Sequence, residues 1–306
     1  MAEVATVTTS LAETWLVTGG SGQVGLALRR SPPEGVRVLA PNRDELDLAA
    51  LPDLGPLLEG VTGIVNCAAY TAVDKAEGEP ELAGAINAIA PGRLAQAAAQ
   101  AGIPIVHVST DYVFASDGRG PWTEGAPIAP ASIYGRTKAE GEAAVRASGA
   151  RHAIIRTAWV VGTDGHNFVK TMLRLGRERD ALRVVADQIG TPTHAGDLAA
   201  ALGIVMGRFR ANPAQVSGTW HCTNSGETSW HGLASHVFAC AAAHGLKVPA
   251  TVEAISTAEY PTPAQRPADS RLDITAIARD FGVHPRSWQD AIAEIVEHLA
   301  QREQDI

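Results

Sequence analysis

Residues 16–25 read LVTGGSGQVG. An apolar run stops at Thr18, and glycines then recur at every third position, at Gly19, Gly22 and Gly25; Gly20, Gly22 and Gly25 also satisfy G-x-G-x-x-G. Such spacing permits a tight strand-to-helix turn, close approach of backbone to a pyrophosphate, and close packing of the helix on the strand. The free N–H groups of the helix start then face an anion. The turn sits after a predicted strand and before a predicted helix, the context in which this pattern signifies dinucleotide binding.

Working outward, short runs rich in Val and Ile alternate with helical patterns. TWLVTG (14–19), VRVLAP (36–41), GIVNCAA (63–69), IPIVHVST (103–110) and HAIIRTAWVV (152–161) read as buried strands. Segments 23–31, 80–101 (interrupted by Pro91) and 134–148 read as helices. This succession implies an α/β fold, a Rossmann-type doubly wound parallel sheet with a smaller C-terminal substrate-binding lobe. The expected division is a tail over 1–13, a dinucleotide-binding domain over 14–161, and a lobe over 162–306 partly interleaved with the sheet at about 182–209. LRVVADQ (182–188) offers a further strand and DLAAALGIVMGRF (197–209) a helix. YPTPAQRPADSRLD (260–273) reads as a proline-rich loop, and Trp288, Ile292, Ile295, Val296 and Leu299 line one face of a final amphipathic helix.

The chain has 306 residues, 45% hydrophobic and 19% charged, with a formal net charge of −8. That composition is globular, and the acidic balance argues against a basic nucleic-acid groove. Cys67, Cys222 and Cys240 are far apart and form neither a disulfide framework nor a zinc pattern. The first residues, MAEVATVTTSLAE, lack a basic region followed by an apolar core, and no run is long enough to span a bilayer. The expected location is the cytoplasm.

Two further features carry chemistry. The second strand ends LAPNRDELD, placing Pro41, Asn42 and Arg43 where an NAD site usually has an acid for the ribose. Arg43 can meet a 2′-phosphate, which favours NADPH, with NADH also possible; it can equally be a solvated loop residue. The fourth strand ends with Ser109, Thr110 and Asp111 at the sheet edge where open α/β sheets bind ligands, and Tyr134 and Lys138 follow at helical i, i+4 spacing. Reducing a ketone requires a proton at its oxygen. A tyrosine near pKa 10 gives it more readily when a lysine ammonium stabilises the phenolate, and a Thr110 hydroxyl would hold the carbonyl oxygen beside the phenol. Thr110, Tyr134 and Lys138 are therefore the candidate catalytic residues.

With these residues in place, the chain resembles the dTDP-4-dehydrorhamnose reductase family of the extended short-chain dehydrogenase/reductases. The likeness runs from about residue 14 and includes GGSGQVG, NCAAYTAVDKAE, HVSTDYVF, PASIYGRTKAEGE, VVADQIGTPT and PTPAQRPADSRLD. The resemblance implies Gly22, Gln23 and Val24 at the pyrophosphate, Asp47 and Leu48 near the adenine, and Ala69, Tyr70 and Thr71 along the cofactor. It implies Tyr134 as proton donor and Lys138 at the nicotinamide ribose. Thr110 and Asp111 would hold the sugar, Trp159 would pack on it, and Arg266, with Arg271 nearby, would reach the diphosphate. The implied substrate is a dTDP-4-keto-6-deoxysugar, most simply dTDP-4-dehydro-L-rhamnose, or the 4-keto sugar of an antibiotic pathway such as that of dihydrostreptose. A nucleotide-sugar epimerase retaining NAD, and a non-catalytic NADP-binding regulatory subunit, are the competing classes. Some relatives place a metal-binding acid two residues after the last glycine; here that residue is Ala27, so no metal is expected, and monomer and homodimer both remain open.

Overall fold

The computed structural model describes residues 13–117 and 119–304. The expected tail, apart from Glu13, lies outside them; Glu13 itself opens the first strand. In chain order come β1 (Glu13–Thr18), α1 (Gln23–Arg30), β2 (Val36–Leu39), β3 (Gly63–Asn66), α2 (Val73–Ala76), α3 (Pro80–Gly84), a π-helical turn (Ala85–Ile89) and α4 (Ala90–Gln100). Then follow β4 (Ile105–Thr110), α5 (Ile133–Ala147), β5 (His152–Thr157), β6 (Val160–Val161), α6 (Phe168–Glu178), β7 (Ala181–Val185), β8 (Ile189–Gly190), β9 (Thr193–His194) and α7 (Ala195–Ala211). The last elements are β10 (Gly218–His221), β11 (Thr228–Ser229), α8 (Trp230–Ala243), β12 (Thr251–Ile255), α9 (Thr275–Phe281) and α10 (Trp288–Gln304).

Six strands form one parallel sheet in the order β10-β5-β4-β3-β1-β2, the doubly wound arrangement expected from the alternation. The apolar runs are unbroken because both faces are covered. On β1, Trp15 and Val17 face a core shared with Leu28, Leu198, Leu202 and Phe209, while Leu16 faces the opposite core with Leu94, Ile105 and Val145. A separate core unites α6, α8 and α10 around Leu173, Val237, Ile292 and Val296.

Three expectations change. The run 152–161 is not one strand: β5 ends at Thr157, Trp159 adopts φ 47°, and Val160–Val161 pair with Thr193–His194 instead. Strand β7 pairs with β12 outside the main sheet, and the sixth strand of that sheet is β10, GTWH, which has no long apolar run to announce it. Pro91 does not interrupt its helix. The preceding π turn accommodates it, and the freed Asn87 carbonyl lies against α5, where a Cβ on Gly141 would approach it to 2.0 Å. The Asn87 amide meanwhile brackets the backbone of Tyr70, accepting from its N–H at 2.8 Å and donating to its carbonyl at 3.2 Å.

Candidate active site

The C-terminal edge of the sheet opens into a cleft of about 690 Å³, lined at one end by the glycine turn and at the other by the start of α5. Gly19, Gly22, Gln23, Val24 and Gly25 all face it. A Cβ on Gly25 would fall 2.3 Å from the Gly19 carbonyl, so the turn closes this tightly only with glycine there. Gly22 is the N-cap of α1 and has no side chain to occupy the first-turn N–H groups, which remain available to an anion. The donor set and its bare backbone fit a dinucleotide pyrophosphate. Gln23 also anchors the turn to the rest of the chain, donating to the Val160 carbonyl at 3.3 Å and accepting from Asn167 at 3.0 Å.

Arg43, Asp47, Leu48, Ala69 and Thr71 line the same end. The Arg43 side chain is 73% exposed, with only a 3.8 Å approach to Asp47. Tyr70 does not line the cleft; its phenol donates to Glu79 at 2.6 Å. Ala27 packs toward the core, and among the described residues no group of His, Cys, Asp or Glu is arranged to hold a metal ion.

At the other end Thr110, Asp111, Tyr134, Lys138 and Trp159 come together. Ser132 caps α5 by accepting from the Gly135 N–H at 3.1 Å, and the Ile133 N–H reaches Glu77 at 2.8 Å, fixing Tyr134 in the first turn over the cleft. Tyr134 is buried and packs edge-on against Tyr112 at 5.4 Å. Thr110 donates to Asp111 at 2.8 Å and accepts from the Tyr112 N–H at 3.2 Å. Burial pushes Asp111 up to about 7, opposed in part by the Thr110 hydroxyl.

The expected ammonium–phenol coupling is not the arrangement seen. Lys138, only 1% exposed, donates to the Val108 carbonyl at 2.8 Å. Burial holds the Tyr134 phenol above its ordinary range, with the neighbouring Thr110 hydroxyl offsetting part of the shift. Burial also lowers Lys138 to about 8, against the opposing charge of Glu142. Glu142 itself sits fully buried in a bidentate pair with Arg156, both contacts at 2.8 Å, and accepts from Arg146 as well. Burial alone would raise this carboxyl, but the Arg156 guanidinium brings it below its ordinary range. The pair pins the helix carrying Tyr134 and Lys138 to β5.

Trp159 stacks on Trp230 with ring centroids 3.6 Å apart, and both rings line the cleft. Trp230 was not foreshadowed by any motif; its position becomes evident only once the unusual backbone at Trp159 turns the two indoles together. Arg266 does not line the cleft. It is engaged by Asp74 at 2.6 Å and donates to the Tyr112 hydroxyl at 3.2 Å. Arg271 is likewise held by Asp269 and Glu227.

Known proteins share this organisation. The family model described as RmlD substrate binding domain matches residues 13–301. The chain is 42% identical over 284 residues to a dTDP-4-dehydrorhamnose reductase of Sinorhizobium fredii, covering 92% of this chain and 95% of that protein. It is 41% identical over 290 residues to a Streptomyces antibioticus protein named as a probable dTDP-4,6-dihydroxy-2-methyloxan-3-one 4-ketoreductase, covering 92% and 93% of the two. A Bacillus anthracis dTDP-4-dehydrorhamnose reductase crystallised in complex with NADP superposes with a TM-score of 0.85 at 34% identity, covering 94% of this chain and 99% of that one.

Proposed function

This chain belongs to the dTDP-4-dehydrorhamnose reductase family, and we propose that it reduces the 4-keto group of dTDP-4-dehydro-L-rhamnose with NADPH. The observation that carries the reading is the convergence of buried Thr110, Tyr134 and Lys138 on the cleft whose other end is the glycine turn. NADPH, when bound, supplies the hydride. The chain's own part is to hold and move the proton. Burial keeps the Tyr134 phenol protonated at neutral pH, so it acts as general acid toward the ketone oxygen, while the Thr110 hydroxyl orients that oxygen. Lys138 sits one helical turn beyond, lines the same cleft, and would hold the nicotinamide ribose. Asp111 hydrogen-bonds the sugar, and the Trp159–Trp230 stack gives it an apolar wall. Arg43 is free to pair with a 2′-phosphate. In this reading residues 14–161 bind the cofactor and the sugar lobe falls within 162–306, although α7 and β10 belong to the sheet layers.

The Streptomyces relative favours a second reading within the same chemistry, reduction of a different 4-keto deoxysugar. Incubation of the purified protein with NADPH and dTDP-4-dehydrorhamnose, following absorbance loss and the sugar product, tests the assignment. Stoichiometric oxidation with appearance of dTDP-L-rhamnose is expected. Tight NADPH binding without turnover of this sugar, but with turnover of another 4-keto sugar, would transfer the assignment to the second reading.

A further inference from the structure

Behind Lys138 a row of polar side chains crosses the sheet. The register aligns Thr18 with Asn66 on β1 and β3, and Asn66 with His107 on β3 and β4. All three are buried. The Ala68 N–H, which can only donate, reaches Asn66 Oδ1 at 3.2 Å, and the Thr18 hydroxyl donates to the same oxygen at 2.6 Å. That fixes the amide orientation, so Asn66 Nδ2 must be the donor toward His107 Nδ1, at 3.0 Å. Nδ1 is then unprotonated, and the neutral imidazole carries its proton on Nε2. That atom lies 3.5 Å from Lys138 Nζ.

An ammonium offers only donors, and Nζ already donates to Val108. An imidazole N–H facing an ammonium sets donor against donor, whereas an amine lone pair would accept it. We infer that Asn66 and His107 are positioning residues for Lys138, presenting an N–H to its nitrogen that disfavours the charged form. Glu142, one turn along, favours the ammonium but is shared between Arg156 and Arg146. Cys67, pushed up to about 12 by burial, is uncharged near neutrality, as is Tyr134 one turn before. His107 is itself held well below the ordinary imidazole range, first by burial and then by Lys138, in agreement with the neutral tautomer. The consequence is a lysine whose charge, and with it its hold on the cofactor, is set in part by the polar row behind it. The inference rests on the proposed placement of Lys138 at the cofactor.

Two measurements test it. Long-range ¹⁵N–¹H correlation of the wild-type imidazole reads the tautomer directly: an Nε2–H neutral ring is expected, and an Nδ1–H ring overturns the proposal. The dissociation constant for NADPH, followed by fluorescence from about pH 6.5 to about pH 10, carries the linkage. Cofactor phosphates and ribose oxygens favour the ammonium, so Lys138 has a higher pKa in the complex than in the free protein. Affinity is therefore full below the free value, about 8, breaks there, and is lost as pH rises from it through the higher value of the complex. His107→Leu removes the N–H and should move this break up by about one pH unit or more. His107→Gln, which can accept from Asn66 and still donate toward Lys138, should leave the break near its wild-type position. A break unmoved in His107→Leu, or moved equally in both variants, overturns the role of His107. An absent break in the wild type instead overturns the placement of Lys138 at the cofactor.

Discussion

The two ends of the cleft are built on opposite principles. The cofactor end is made of backbone: a glycine turn, the open N-terminus of α1, and an Arg43 side chain left largely in solvent. The end proposed to be catalytic is made of buried side chains, several of them ionisable, with Lys138, Glu142 and Arg156 almost wholly withdrawn from water. Backbone amides bind an anion at no desolvation cost to a side-chain charge, and tolerate little change of shape. Buried ionisable groups are costly to hold and sensitive to each partner, but their proton affinities can be shifted far from those in water. The difference teaches that one end is specified sterically and the other electrostatically, and substitutions should sort accordingly.

The largest effect on the fold is expected at the catalytic end. Arg156→Met leaves Glu142 buried without its bidentate partner and should cost about 3–5 kcal/mol of stability in denaturant titrations. A loss below about 1 kcal/mol would show that Arg146 or water supports the carboxylate and would weaken the contrast. Gly25→Ala should do the converse. The new Cβ meets the Gly19 carbonyl, so NADPH affinity should fall by about a hundredfold, roughly 2.7 kcal/mol, with a smaller change in unfolding midpoint. Smallest is Arg43→Ala, which removes one exposed charge. It should weaken NADPH by about tenfold and leave NADH unchanged, narrowing the preference without altering the melt.

What the sequence made legible follows the same division. The glycine spacing and the alternation of Val- and Ile-rich runs with helices are local patterns, and they located the turn, five of the six sheet strands and the helix bearing Tyr134 and Lys138. β10 escaped because an edge strand of four residues, GTWH, carries too little pattern. The π turn before Pro91 escaped because the carbonyl that the proline frees, that of Asn87, finds its place only in the tertiary packing, against Gly141 of α5. Asn66 and His107 were visible only as polar residues inside apolar runs; it is the inter-strand register that sets them side by side behind Lys138. Trp230 lies 71 positions from Trp159 and no spacing links them, whereas stacking does. The resemblance sent Arg266 to the diphosphate, but Asp74, nearly two hundred residues earlier, engages it.

The central claim is that Tyr134 gives the proton while the glycine turn holds the cofactor, and Tyr134→Phe separates the two most directly. The ring still packs against Tyr112, so the fold should persist. With NADPH and the 4-keto sugar, turnover should fall by roughly two to four orders of magnitude, the weight of a general acid, while the NADPH dissociation constant stays within about twofold. Near-normal turnover in Tyr134→Phe, with cofactor binding intact, would contradict the account and send the search for the proton to another group in the cleft, first to Asp111.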